Sequence, residues 1–185
     1  MALEQKTRSA FLNPQKILKR AGVAYGTTVA DLGCGGGYFI LEAARMIGDD
    51  STAYGIDVLK GVLSALDSKA RMYGLTNVKT VWSDAEVYGG AREIPNGSVD
   101  TILLVQLLSE SHKHDAIFKE TVRMMKQHGR AVVVEWKQGG SDFGPPSEKC
   151  VSPEHVKQIT HAAGLKLVQE IDAGQYHYGL IFERA

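Results

Sequence analysis

A glycine-rich run at residues 31–37, DLGCGGG, is the feature of this sequence best suited to binding chemistry. Glycine lets the backbone turn tightly and approach a ligand with no Cβ in the way. The run follows a β-branched segment and precedes a helical one, and such a strand-to-helix turn is where open α/β sheets bind ligands. Without a ligand, so many glycines would cost conformational entropy with no packing in return. We therefore predict a binding loop in which Cys34 is a small filler rather than a nucleophile, because the sequence places no base beside it.

Acidic residues end the next two strand-like segments. Asp57 closes TAYGID, where a carboxylate can accept charge-assisted hydrogen bonds from both hydroxyls of an adenosine ribose. Asp84 follows the third such segment, within Ser83-Asp84-Ala85, and can accept from the exocyclic amine of adenine while the Ala85 amide serves a ring nitrogen. The alternatives are a helix cap for Asp57 and a solvated turn residue for Asp84. At position 38, where a dinucleotide fingerprint needs a small residue, the chain has Tyr38, which disfavours NAD and FAD.

Several side chains near the ends of the fourth and fifth strand-like segments, and one in the last such segment, can accept a proton. His112, Glu135 and Tyr178 are the catalytic candidates, and His114 and Glu110 lie in the same stretch. Each has a structural alternative. The histidines can act as solvated residues at the start of a helix, and Tyr178 can simply pack, because it shares one strand face with Tyr176.

The elements that must position these residues alternate between short β-branched runs and longer runs of helical period. This alternation predicts an α/β fold with a mostly parallel sheet. Asn13 and Ser152, each followed by proline, predict two helix starts. The final two strands are separated only by residues 173–175, too short for a parallel crossover, so the last strand must run antiparallel.

Composition indicates one ordinary globular domain over residues 1–185, with a helical N-terminal segment at 1–25. The 21 basic and 21 acidic side chains give zero formal charge, which disfavours a broad nucleic-acid surface and favours a small-molecule acceptor. We expect no signal peptide, no membrane span and a cytoplasmic location. Cys34 and Cys150 have no metal-ligand spacing, so no metal is predicted. A homodimer is compatible with the sequence.

At these motifs the chain resembles the class I S-adenosylmethionine-dependent methyltransferases over nearly its full length. VADLGCGGG is similar to their first motif, YGIDV to their second, SDA to their third, and SVDTILLVQLL to the strand leading to the acceptor site. The ending resembles small prokaryotic members related to quinone-biosynthesis methyltransferases. MMKQHGRAVVVEW departs from the family's usual Pro-Gly-Gly at Gln127-His128-Gly129.

The resemblance implies a Rossmann-like doubly wound sheet of seven strands, order 3-2-1-4-5-7-6, with strand 7 antiparallel and helices on both faces. It also implies S-adenosylmethionine as cofactor and a methyltransferase activity. The predicted cofactor-binding residues are Asp31, Gly33, Cys34, Gly35, Gly37, Asp57, Val58, Ser83, Asp84, Ala85 and Gln106. Two alternative functions are a catalytically silent adenosyl-binding partner subunit and an NAD-dependent oxidoreductase.

Residues 137–151 form a candidate acceptor-site loop. The segment is rich in glycine and proline and leaves the fifth strand at the ligand-binding edge. Loops of this length in a compact domain usually have a function. We predict a lid with hinges at Gly139, Gly140 and Gly144 and an apolar surface at Phe143. The alternative is an ordered surface loop. Phe11 and Tyr38 are further aromatic candidates for covering the site.

Overall fold

The structure is a computed structural model that describes residues 12–139 and 144–185. The strands are β1 (Val29–Leu32), β2 (Ala53–Asp57), β3 (Val78–Trp82), β4 (Val99–Val105), β5 (Met125–Trp136), β6 (Leu165–Asp172) and β7 (His177–Arg184). The helices are α1 (Pro14–Arg20), α2 (Ile40–Ile47), α3 (Lys60–Met72), α4 (His114–Met124) and α5 (Pro153–Ala162), with 3₁₀ turns at Leu108–Glu110 and Ser147–Lys149. Phe11 of the N-terminal segment and Gly140 and Phe143 of the predicted lid lie outside the described residues.

The seven strands form one sheet in the order β3-β2-β1-β4-β5-β7-β6, which confirms the predicted order. Strands β1 to β5 pair in parallel, whereas β7 runs antiparallel to both of its neighbours. The turn between β6 and β7 is too short to carry the chain back across the sheet, so the two strands form a hairpin. The carboxyl ends of β1 to β5 therefore meet at a single edge.

Helices cover both faces of the sheet. One apolar layer joins α1, α2 and α3 to the sheet residues Leu103, Val132 and Val134. The other joins α4 and α5 to the alternate residues Leu104 and Val133. Adjacent strand residues point to opposite faces, so each central strand contributes to both layers and reads as a continuous apolar run. This is the doubly wound arrangement expected from the sequence.

Two predicted helix starts are confirmed by their capping hydrogen bonds. The Asn13 side chain accepts from the Lys16 amide at 2.9 Å, and the Ser152 hydroxyl accepts from the His155 amide at 3.2 Å. Each cap satisfies one of the amides that a helix start leaves without an intrahelical partner, a contribution of about 1 kcal/mol. Within the described part of the chain, no helix is long and apolar enough to cross a membrane.

The start of β5 differs from the sequence-based prediction. The helical period of HDAIFKETVRMMK predicts a helix that Gly129 ends, but α4 ends at Met124 and the chain becomes extended at Met125. A Cβ at Gly129 would lie 3.0 Å from the Val99 carbonyl oxygen and 2.7 Å from Met125 Cγ. This glycine is thus needed for the close approach of β5 to β4, where the strand register shifts, rather than for ending a helix.

Candidate functional site

The glycine loop connects β1 to α2 at the carboxyl edge of the sheet. Gly33, Gly35 and Gly37 have φ values of 72°, 49° and 83°, in the left-handed region that glycine adopts without strain. A Cβ on Gly33 would lie 2.9 Å from Leu107 Cδ1, and one on Gly37 would lie 2.5 Å from Leu66 Cδ1. A Cβ on Gly35 would meet no described atom within 4 Å. The outer glycines therefore permit tight packing, and Gly35 leaves backbone open to a ligand.

Cys34 lies inside this loop as a buried filler. Its Sγ is 3.2 Å from the position a Cβ would take on Gly55 of β2. Burial, together with the charges of Asp31 and Asp57, raises the pKa of the Cys34 thiol. The residue stays protonated at neutral pH and is unsuited to nucleophilic attack.

Asp31 of β1 is the most perturbed acid at this edge. Its side chain is 2% exposed, and its Oδ1 has no hydrogen-bond partner among the described residues. Burial, and secondarily the neighbouring charge of Asp57, raises the pKa of the Asp31 carboxyl to about 8. A buried carboxyl with an unused oxygen is costly unless something pairs with it. The position is suited to a cationic hydrogen-bond donor.

Asp57 ties the end of β2 to the glycine loop. Its Oδ2 accepts from the Gly35 amide at 3.1 Å, and its Oδ1 accepts from the Leu59 amide at 2.9 Å. Leu59, not Asp57, is the N-cap residue of α3, so the bond to the Leu59 amide makes a local turn before the helix rather than the cap considered above as the alternative. An ionised carboxyl has about four acceptor sites, so both oxygens retain capacity for a ligand's hydroxyl groups.

An apolar wall follows on the β3 side. Trp82, 61% exposed, donates from Nε1 to the Val58 carbonyl at 2.9 Å, and the Lys60 ammonium lies 4.0 Å from the centre of its ring. Val58 is also exposed. Sequence reasoning overlooked Trp82, although a tryptophan at the exposed end of a strand was a readable signal.

The third predicted segment lies just beyond this wall. Asp84 Oδ1 accepts from the Glu86 amide at 2.8 Å, while Ser83 and Ala85 are buried. One Asp84 oxygen therefore makes the turn that the alternative interpretation expected. The other has no hydrogen bond among the described residues, so it is available to a donor such as an adenine amine.

Gln106 marks the carboxyl end of β4 and is the one non-glycine residue of the described chain with positive φ, at 54°. Its Nε2 lies 2.7 Å from His177 Nε2. His177, 1% exposed, stacks on Trp136 with ring centres 4.1 Å apart. A strained residue of this kind costs of order 1 kcal/mol and is typical of functional sites. The contact with His177 could not be predicted from the sequence, because it depends on strand register.

Glu135 on β5 and Tyr178 on β7 are paired across the two strands, on the face opposite to that of Trp136 and His177. Glu135 is fully buried; its Oε1 accepts from the Leu108 amide at 2.6 Å, and its Oε2 has no partner among the described residues. Burial raises the pKa of Glu135 to about 7, although hydrogen bonds from Leu108 and Ser109 act in the other direction. The Tyr178 hydroxyl donates to the Val151 carbonyl at 2.7 Å, and burial raises its pKa. This geometry suits Tyr178 to holding the 144–152 segment.

A cavity of about 290 Å³ opens beside these two residues. It lies between the β4–α4 connection and the segment that leads into α5. Its polar lining includes His112, His114, Lys149, Ser152 and His155. His112, one of the catalytic candidates, is thus on the cavity wall, whereas Glu135 lies behind the wall formed by Leu108 and Ser109. No group of residues in the described ranges could hold a metal ion.

Comparison with known proteins agrees with this architecture. Residues 29–129 match the model of the methyltransferase domain family. The demethylmenaquinone methyltransferase of Geobacillus kaustophilus is 25% identical over 126 residues, which are 67% of this chain and 51% of that protein. The probable cobalt-precorrin-6B C(15)-methyltransferase (decarboxylating) of Methanosarcina acetivorans is 30% identical over 117 residues, 63% of this chain and 59% of that protein.

A solved structure of a SAM dependent methyltransferase from Aquifex aeolicus superposes with a TM-score of 0.87 and 27% identity, covering 95% of this chain and 92% of that one. The chain spans about half the length of the curated relatives it matches. The fold, the glycine loop and the family match together define a class I methyltransferase fold. The chain belongs to the methyltransferase domain family.

Proposed function

We propose that this protein binds S-adenosylmethionine and transfers its methyl group to a small-molecule acceptor. The observation that carries the proposal is the closeness of two acids at the glycine loop. The charge of Asp57 acts on buried Asp31, and Asp57 accepts from the amide of Gly35, whose backbone is open. The unpartnered, buried Asp31 oxygen matches the ammonium of the cofactor's amino-acid part. The acceptor capacity of Asp57 matches its ribose hydroxyls.

The remaining predicted residues are assigned by the same chemistry. Val58 and the overlooked Trp82 offer exposed apolar surface for an adenine ring. The free Asp84 oxygen would accept from the adenine amine. Gln106, at the end of the neighbouring strand, would lie toward the acceptor. When bound, S-adenosylmethionine supplies an electrophilic methyl carbon, so the residues of the chain have mainly to hold the acceptor in line with it.

A small acceptor is supported by charge and by the relatives. The chain has no net formal charge, which disfavours the broad electropositive surface that nucleic-acid binding requires. The relatives named above act on demethylmenaquinone and a cobalt-precorrin, which are small organic molecules. Both cysteines are free thiols, in keeping with the cytoplasmic location that we propose.

Calorimetry on the whole chain tests the cofactor assignment. We expect S-adenosylmethionine and its demethylated product S-adenosylhomocysteine to bind in the micromolar range, and NAD to show no heat of binding. Equal or tighter binding of NAD would overturn the assignment.

Cell extract incubated with radiolabelled S-adenosylmethionine and the protein tests the transfer. We expect label in the small-molecule fraction. Tight cofactor binding with no label in any fraction would instead identify a silent adenosyl-binding subunit, and label in nucleic acid would contradict the acceptor class.

A further inference from the structure

The turn that follows β3 is held against the β4–α4 connection by the side chain of Glu86. Its Oε1 accepts from the Ser111 hydroxyl at 2.7 Å, and its Oε2 lies 3.0 Å from the Lys113 ammonium. The Ser111 hydroxyl oxygen also accepts from the Lys113 amide at 2.9 Å, so the connection is itself folded around this contact. Ser111 is buried and the Glu86 side chain is 25% exposed. Glu86 thus joins two segments that lie 25 residues apart in the chain.

The main chain of Glu86 orients the side chain of Asp84. The Glu86 amide donates to Asp84 Oδ1 at 2.8 Å, which closes a turn through the short acidic side chain. The second Asp84 oxygen makes no hydrogen bond among the described residues, and Asp84 is exposed. The direction in which this second oxygen points is therefore set by where the Glu86 amide is held.

The charges around Glu86 support the same arrangement. The hydrogen bond from Ser111, followed by the contact with Lys113, lowers the pKa of the Glu86 carboxyl, so Glu86 is ionised at neutral pH. The pKa of Lys113 is raised first by its bond to Glu86 and to a smaller extent by the charge of Asp84. Because the Lys113 side chain is 71% exposed, its ion pair contributes little to stability. The hydrogen bond from buried Ser111 is the stronger part of the contact.

The rest of the β3–β4 connection is anchored separately. Glu120 of α4 is fully buried, accepts from the Gly89 amide at 2.7 Å and pairs with Arg123 at 2.7 Å. Arg123 also donates to the Ile94 carbonyl at 2.9 Å. Loss of the Glu86 side chain should therefore free the turn after β3 without releasing the connection beyond it.

We propose that Glu86 is a positioning residue for recognition of the adenine amine. The proposal rests on the proposed function, in which Asp84 accepts a hydrogen bond from that amine. Glu86 acts through Asp84, because its anchored amide holds the Asp84 carboxylate in place before the cofactor binds. An acceptor that is already oriented loses less conformational freedom on binding than a mobile one. The side chain of Glu86 should therefore increase the preference for adenine over a base that lacks the amine.

Calorimetry on the whole chain with two probes separates this role from a general structural one. The probes are S-adenosylhomocysteine and its 6-deamino analogue, in which a hydrogen atom replaces the adenine amine. We expect the parent chain to bind S-adenosylhomocysteine about 10-fold or more tightly than the analogue, as for one charge-assisted hydrogen bond. Glu86→Ala should reduce this preference to about threefold or less, while its affinity for the analogue stays within about threefold of the parent's.

Two further variants identify the contact of Glu86 that matters. Glu93→Ala removes an exposed acid from the same connection and should keep the parent's preference. Glu86→Gln keeps an oxygen that can accept from Ser111 and loses only the exposed ion pair, so its preference should stay within about twofold of the parent's. Thermal unfolding checks that each variant is folded. If Glu86→Ala does not fold, Ser111→Ala removes the same hydrogen bond from its donor and should show the same loss of preference.

The outcomes distinguish this proposal from the proposed function. Failure of the parent chain to bind S-adenosylhomocysteine would refute the proposed function. A parent chain that binds both probes equally would refute amine recognition by Asp84, and with it the role of Glu86, but not cofactor binding.

Three results would refute the role of Glu86 alone. They are an unchanged preference in folded Glu86→Ala, an equal loss of its affinity for both probes, and a loss of preference in Glu93→Ala as large as that in Glu86→Ala. A Glu86→Gln variant that behaves like Glu86→Ala would refute the part assigned to the Ser111 hydrogen bond.

Discussion

Replacing Asp31 by asparagine should stabilise the free protein and weaken its binding of the cofactor. The folded Asp31 has a pKa of about 8, against an ordinary value of 3.8, chiefly because it is buried. At pH values above the ordinary pKa, Asp31 in the unfolded chain releases its proton while Asp31 in the folded chain keeps it. Stability therefore falls as pH rises between these two pKa values and is constant above the folded one.

The size of this effect follows from the shift. At about pH 7, which is roughly three units above the ordinary pKa and still below the folded one, the shift corresponds to about 4 kcal/mol of lost stability. Asparagine does not titrate, but it leaves a buried amide donor at a position with no partner, at a cost of about 1 to 3 kcal/mol. We expect a net gain of about 1 to 3 kcal/mol near neutral pH and, below about pH 4, where only the cost of the amide remains, a net loss of about 1 to 3 kcal/mol. Denaturant unfolding at both pH values measures it.

Cofactor binding gives a second readout of the same residue. A bound ammonium should drive Asp31 to ionise, so binding near neutral pH should release up to about one proton. Calorimetry in buffers of different ionisation enthalpy counts this proton, and Asp31→Asn should release none. The reasoning is refuted if the variant is less stable than the parent near neutral pH, or if the parent releases no proton on binding.

Three further predictions concern other parts of the site. Asp57→Ala should weaken cofactor binding by about 2 to 3 kcal/mol, roughly 30- to 150-fold, in a calorimetric titration. Asp57→Asn, which keeps one acceptor oxygen, should lose less. An unchanged dissociation constant in a folded Asp57→Ala would leave this residue with only a structural role in the loop and turn. Glu135→Gln should raise the free energy of unfolding by up to about 3 kcal/mol above about pH 8 and leave it unchanged near pH 4, because burial raises the Glu135 pKa from 4.5 to about 7. Denaturant unfolding measures it, and an equal gain at both pH values would argue against this cause. The 137–151 segment stays a predicted lid. Its hydrogen exchange should slow when S-adenosylhomocysteine and an acceptor are both bound, whereas exchange in α4 should not change. Equal exchange of the segment in the free and bound protein would make it a passive loop.

Local sequence signals were sufficient for much of the fold. The caps at Asn13 and Ser152 depend on residues within one helical turn, and both were predicted correctly. The antiparallel β7 followed from the length of one connection, while the full strand order needed the family resemblance. The extended start of β5 was missed, because the reason for Gly129 lies on a neighbouring strand.

The features of the candidate site also fall into those that local sequence predicts and those that depend on the folded chain. The glycine loop could be predicted because its neighbours in sequence define the turn in which it lies. The bond from the Gly35 amide to Asp57 and the contact of Gln106 with His177 could not, since both require the packed chain to bring distant residues together. Burial also changes the chemistry of residues that the sequence presents as ordinary acids, as for Glu135.

The position of β7 has a consequence for how the protein is made. This strand is the last of the seven in the chain, yet it lies between β5 and β6 and bonds to both. Until residues 177–184 have been synthesised, β5 has an unpaired edge and β6 has no neighbour in the sheet. An exposed strand edge is prone to pair with other chains. The nascent chain therefore passes through an aggregation-prone stage after the strands that carry the glycine loop and Asp57 have been made. A prematurely terminated product that lacks β7 would be a candidate for degradation.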